Sequence, residues 1–126
     1  MIGIARLGTN DLDRARAFYD EIFAIAGFTV LMTNEKACVW GKAGEPLFGI
    51  GKPFDGEPAT VGNGTMIGMP VTERAMVDSI HAKALALGGT DEGAPGLRGD
   101  PAMGFYAAYL RDLDGNKLVF SCRGAA

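Results

Sequence analysis

Thr9-Asn10-Asp11-Leu12-Asp13-Arg14-Ala15-Arg16-Ala17-Phe18-Tyr19-Asp20-Glu21-Ile22-Phe23-Ala24-Ile25-Ala26-Gly27 is a helix written out with both its ends. Thr9, Asn10 and Asp11 supply side-chain oxygens that can cap the free amides of a first turn beginning near Leu12. From there Leu12, Ala15, Phe18, Tyr19, Ile22, Phe23 and Ala26 recur at three- and four-residue spacing and so share one face. Gly27 ends the run, since it adopts the left-handed conformation of a helix terminus without steric cost. Upstream, Ile2 to Leu7 reads as a short strand. Downstream, Phe28 to Met32, Lys36 to Gly41 and Pro46 to Gly51 read as three more, separated by turn residues. The order over residues 1–51 is β-α-β-β-β.

Residues 52–63 contain Pro53, Asp55-Gly56, Pro58 and Gly62-Asn63, which sustain neither a helical nor a strand period, and form a linker. After it the order begins again over residues 64–122. A strand Thr65 to Val71 precedes a helix Glu73 to Leu87 that stops at Gly88-Gly89. A loose Gly/Pro stretch follows, then strands Phe105 to Arg111 and Asn116 to Cys122 around the turn Asp112-Leu113-Asp114-Gly115. An offset of 62 residues lays Asp11 on Glu73 and Gly27 on Gly89, and it keeps the core positions apolar, with Ala15 on Val77, Phe18 on Ile80 and Phe23 on Leu85. The reading is a single α+β domain made of two βαβββ modules.

With 126 residues and 48% of them hydrophobic, one respectable core can be built, whereas two independent domains would each be marginal. A formal net charge of −3 with both signs interspersed gives no basic footprint for nucleic acid or anionic lipid. No apolar run approaches the length of a membrane span, and Met1 leads into a strand rather than a leader, so the expected compartment is the cytoplasm. Cys38 and Cys122 lack the close spacing of a zinc or redox motif and read as buried structural thiols. His81 is the single histidine, too little for a histidine-rich metal site.

Two stretches carry a resemblance. Leu12-Asp13-Arg14-Ala15-Arg16-Ala17-Phe18-Tyr19 is similar to the opening helix, and Phe105-Tyr106-Ala107-Ala108-Tyr109-Leu110-Arg111-Asp112-Leu113-Asp114-Gly115-Asn116-Lys117-Leu118 to the closing hairpin, of the vicinal oxygen chelate superfamily. This is the group of glyoxalases, bleomycin-resistance proteins and extradiol dioxygenases. Ala94-Pro95-Gly96-Leu97-Arg98 also resembles a loop of its small bacterial members. The resemblance spans almost the whole chain and implies curved sheets around a U-shaped cleft, helices outside, and in enzymatic members a metal held by His, Glu or Gln on the first and last strands of each module. Here the matching positions are Ile4, Met66 and Val119, with the fourth somewhere among Leu47 to Ile50. None of these side chains holds a hard divalent cation. Two other ligand sets fare poorly: His81 falls on a helix outside the cleft, and Glu45, Asp112 and Asp114 sit in turns, where carboxylates usually bond backbone.

Strand alternation from Val119 places Lys117 and Ser121 on the cleft face, and alternation from Ile4 places Arg6 there. Simple pairing across the hairpin sets Tyr106, Ala108 and Leu110 opposite Ser121, Val119 and Lys117, unless a bulge in the turn inverts it. The ligand-binding candidates are therefore Arg6, Trp40, Phe48, Met66, Tyr106, Val119 and Ser121, with Arg98 delivered by the long Gly88 to Gly104 loop acting as a lid. The expected function is metal-free binding of a small apolar or anionic molecule, with no cofactor, by a homodimer. An enzyme of lyase, isomerase or dioxygenase type with an unidentified metal site, or a dimeric scaffold with a filled cleft, is the alternative.

Overall fold

Asp11 does cap the first helix: its Oδ1 accepts from the Arg14 amide at 3.1 Å, and Gly27 closes the other end in the left-handed conformation at φ 82°. The computed structural model describes residues 2–124. The helix, α1 (Leu12–Ala26), buries Leu12, Ala15, Phe18, Tyr19, Ile22 and Phe23, the stripe read from the sequence. Strand β1 (Ile4–Gly8) precedes it, and β2 (Thr29–Thr33), β3 (Ala37–Gly41) and β4 (Leu47–Gly51) follow. They form one mixed sheet in the order β1-β4-β3-β2, in which only the β1–β4 pair is parallel.

The second module repeats this plan with β5 (Ile67–Pro70), α2 (Arg74–Ala86), β6 (Thr90–Leu97), β7 (Tyr106–Arg111) and β8 (Lys117–Cys122), in the order β5-β8-β7-β6. The fold is thus α+β with two βαβββ modules. Two expectations need correcting. The Gly88 to Gly104 stretch is not a lid loop, because its first half is strand β6 and only Pro101–Met103 forms a short 3-10 turn. Pro95 is tolerated because β6 is an edge strand whose register slips twice against β7, between Asp91 and Gly93 and again between Gly93 and Gly96.

The β7–β8 register is also one residue away from simple pairing. Tyr106 faces Cys122, Tyr109 faces Val119 and Arg111 faces Lys117. Asp112 and Asn116 close the hairpin through Asp112 N–H to Asn116 O at 2.9 Å, leaving Leu113, Asp114 and Gly115 as the loop, with Gly115 at φ 92°. That is the bulged three-residue turn, and the extra residue swaps the faces of β7.

Both sheets turn the same kind of face inward. Leu7, Cys38, Trp40, Phe48 and Ile50 from the first sheet, and Met69, Leu110, Leu118 and Phe120 from the second, join α1 and α2 in one core cluster. The modules meet through α1 against α2 and through loops, and module one's strands make at most isolated contacts with module two's. The opposite faces of the two sheets therefore lie outside the shared core. Cys38 and Cys122 are buried and unpaired, as structural thiols, and burial pushes the Cys38 thiol above its ordinary pKa. Among the described residues no helix is long and apolar enough to cross a membrane.

Candidate functional site

The outer face of module one follows from strand parity. Arg6 lies beside Gly49 and Val39 lies opposite it, while a Cβ placed on Gly49 would stand 3.6 Å from the Ile4 side chain. Arg6 crosses Gly51, where a Cβ would come within 2.3 Å of its Nη2, so only glycine leaves the guanidinium room. Its Nη2 donates to the Lys52 carbonyl at 2.9 Å, and among the described residues no carboxylate pairs with it. Arg6 thus lies on the outer face of its sheet, as alternation from Ile4 predicts, but it is exposed there. It stands at a shallow hollow bordered by the linker residues Pro53, Phe54 and Pro58 rather than inside an enclosed cleft.

Module two's outer face is richer. Val119, buried to 6% exposure, lies against Gly68, where a Cβ would meet its Cγ1 at 3.3 Å. Ser121 stands beside it opposite Ala107, and Tyr109 occupies the middle strand opposite Val119. Arg98 and Lys117 reach the Tyr109 ring from the two neighbouring strands, at 5.5 and 5.8 Å from its centroid. Arg98 arrives from the end of β6, not from a lid. Arg111, on the same face, is paired with Glu92.

Three candidates stand elsewhere. Tyr106 is on the helix side, where its hydroxyl donates to Asp78 on α2 at 2.5 Å, and this bond is the main reason its pKa is raised. The one-residue register difference put it there and brought Tyr109 to the outer face instead. Trp40 and Phe48 also belong to the core side, at 1% and 6% exposure, with the indole N–H donating to Asp20 at 2.9 Å. Together with the half-exposed Met66 they line an apolar groove of about 630 Å³ between β1, β4 and β5, floored by Ala26 and Phe28. The structure brings together Trp40, Phe48 and Met66, and separately Arg98, Val119 and Ser121.

Two of the three turn carboxylates, Asp112 and Asp114, prove to be structural, whereas Glu45 stands at the rim of the apolar groove. Asp112, 4% exposed, accepts the Tyr19 hydroxyl at 2.5 Å, Asn116 Nδ2 at 2.9 Å, and the Asp114 and Asn116 amides. Asp114 accepts Thr9 Oγ1 at 2.6 Å and the Asn10 amide, so the hairpin of module two is tied to the start of α1 in module one. Burial first, and the Asp112 carboxylate second, hold the Tyr19 phenol well above its ordinary pKa. His81 sits against the sheet, with its Nε2 2.9 Å from Asp91 of β6. Among the described residues no group of His, Cys, Asp and Glu is arranged to hold a metal.

The strand registers complete the family comparison at the fourth ligand position. Arg6 pairs with Gly49 as Gly68 pairs with Val119, so the module-one counterpart of Val119 is Gly49. The implied metal does not fit Ile4, Gly49, Met66 and Val119, which offer no oxygen or imidazole donor.

Two βαβββ modules of this topology, with paired outer sheet faces, define the glyoxalase-type class of protein. A glyoxalase/bleomycin resistance protein from Albidiferax ferrireducens superposes with a TM-score of 0.88 and 35% identity, over 98% of this chain and 99% of that one. The chain therefore belongs to the glyoxalase/bleomycin resistance protein/dioxygenase superfamily. A family enzyme from Burkholderia phytofirmans shares the fold at TM-score 0.72 and 19% identity, over 95% of this chain and 96% of that one. So does a lactoylglutathione lyase from Agrobacterium tumefaciens at TM-score 0.67 and 22% identity, over 96% and 92%. No protein-family model and no curated protein matches the sequence.

Proposed function

We propose that this protein binds a small apolar or anionic molecule on the outer faces of its sheets, without the divalent metal of its enzymatic relatives. The observation that carries the reading is the chemistry of Ile4, Gly49, Met66 and Val119, where the family resemblance places ligands and this chain has none. Arg6 is the polar anchor of the module-one face, since its guanidinium has no carboxylate partner among the described residues and a forked donor suits an oxyanion.

A cleft needs two such faces opposed, and within one chain both lie outside the common core. We take the working form to be a homodimer in which the module-one face of one copy meets the module-two face of the other. Ile4, at 50% exposure, is a large apolar side chain on the module-one face that this arrangement covers. The unpaired thiols suit a reducing compartment, so the cytoplasm is the proposed location.

The test is elemental analysis of the purified protein, sedimentation analysis, and melting with and without chelator. The expected result is a dimer with substoichiometric Ni, Zn, Mn and Fe and an unchanged Tm. A metal bound only by the folded state raises stability by mass action, so a melt lowered by chelator overturns the metal-free reading, and a monomer overturns the two-copy cleft.

A further inference from the structure

The Gly-rich strand β6 has a use that turn formation does not explain. Gly93 and Gly96 let Arg98 fold back across the strand: a Cβ on Gly93 would stand 3.1 Å from Tyr109 Cδ1 and 3.2 Å from Arg98 Nη2, and one on Gly96 would stand 3.1 Å from Arg98 Nη1. The Ala94 carbonyl then fixes the guanidinium, accepting from Nη2 at 2.6 Å. From the other side β8 sends Lys117 to the same ring. Arg98, Tyr109 and Lys117 are all half-buried, Tyr109 and Lys117 on the adjacent strands β7 and β8 and Arg98 directly after the end of β6.

Two cations held against one phenol repel each other, and among the described residues no carboxylate neutralises either of them. Glu92, on β6, is taken by Arg111. The Tyr109 hydroxyl makes no hydrogen bond among those residues either. An aromatic ring between cations recovers part of their desolvation through its quadrupole, but it supplies no net charge. Arg123 lies over Phe105 at 4.9 Å, next to this site on the continuation of the same strands, and adds to the positive field. On a chain of net charge −3 this is a local inversion of sign.

We propose that Arg98, Tyr109 and Lys117 form an oxyanion subsite that takes the carboxylate or phosphate group of the small molecule bound in the cleft. The guanidinium fork, the ammonium and the phenol supply donors from three directions, and the apolar remainder of the ligand lies along Val119 and Gly68. The assignment rests on the cleft reading above, and it deepens that reading by naming the ligand's charged end.

Calorimetric titration of the full-length protein with benzoate, and separately with inorganic phosphate, tests it. At least one is expected to bind saturably, once per chain, and whichever binds identifies the oxyanion as carboxylate or phosphate. Arg98→Gln and Lys117→Gln should each weaken that binding by about tenfold to a hundredfold, the loss of one charge-assisted contact. Tyr109→Phe should weaken it less, and Arg16→Gln, on the far side of α1, should not change it. All four substitutions are at partly or fully exposed positions, and unchanged melting curves confirm folding. Binding of neither probe, or equal binding by Arg98→Gln, Lys117→Gln and the parent protein, overturns the subsite even in a dimer. A monomer that binds through these residues keeps the subsite and removes the two-copy cleft.

Discussion

Tyr19 and His81 occupy the same position on the helices of the two modules, 62 residues apart, and both end on an aspartate. Tyr19 reaches out of its own module to Asp112 in the β7–β8 hairpin of the other, in a buried network that continues through Asn116 to the Gly8 carbonyl. His81 stays at home, bonded to Asp91 of β6, whose carboxylate is about half exposed. The equivalent hairpin of module one, the β3–β4 turn over Lys42–Pro46, makes no hydrogen bond to module two among the described residues. The repeat preserves geometry while dividing labour: one copy of the position joins the modules, the other trims the fit of a helix on its own sheet.

The largest test of that asymmetry separates the modules. A fragment of residues 1–61 should not melt cooperatively as a monomer, because it leaves Tyr19 without its acceptor, Phe23 without Phe120, and the edges of its sheet uncovered. A sharp, concentration-independent calorimetric transition in that fragment would show module one to be self-sufficient. Next comes Asp112→Ala, which removes one acceptor from four hydrogen bonds at a buried site. The expected loss is about 3–5 kcal/mol by denaturant titration, the cost of stranding buried donors. A loss near that of a surface substitution would mean that water replaces the carboxylate.

The smallest effect belongs to the other half of the comparison. The hydrogen bond from His81 holds the Asp91 carboxyl below its ordinary value of about 3.9. A depressed acid stabilises the fold above that ordinary value, and the contribution is lost as the pH falls through the lowered one. Asp91→Asn should therefore lower Tm slightly at neutral pH and match the parent protein in strong acid. A difference that grows on acidification would reverse the sign of this pairing.

Much of this was legible in the sequence, because helix periodicity and caps act locally. The α1 stripe from Leu12 to Phe23 and the repeated order of elements were read from residues alone, while the outward placement of Val119 came from the family resemblance and that of Arg6 and Ser121 from alternation counted from the positions it marks. The losses arose where one residue changes parity or breaks a rule. Gly115 in the left-handed conformation was the available sign of a bulged turn, and it exchanged Tyr106 for Tyr109 on the outer face. Trp40 and Phe48 alternate with Val39 and Gly49, so a hydrophobic strand gave no hint of which set faced the helices. Strand β6 carries Gly93, Pro95 and Gly96, which argue against a strand in any local reading. Only its place at a sheet edge, and the passage of Arg98 over its glycines, make sense of them.

The Tyr19–Asp112 bond also sets a schedule for the chain's manufacture. As residues leave the ribosome in order, α1 is complete early, yet the acceptor for its buried phenol follows 93 positions later. Until then the aromatic side of α1 has neither its polar partner nor its apolar cover from Phe120. Module one can pack Tyr19 and Phe23 on its own Trp40 and Phe48 as it emerges, but the polar partner of the phenol and the cover from Phe120 arrive only with the last hairpin.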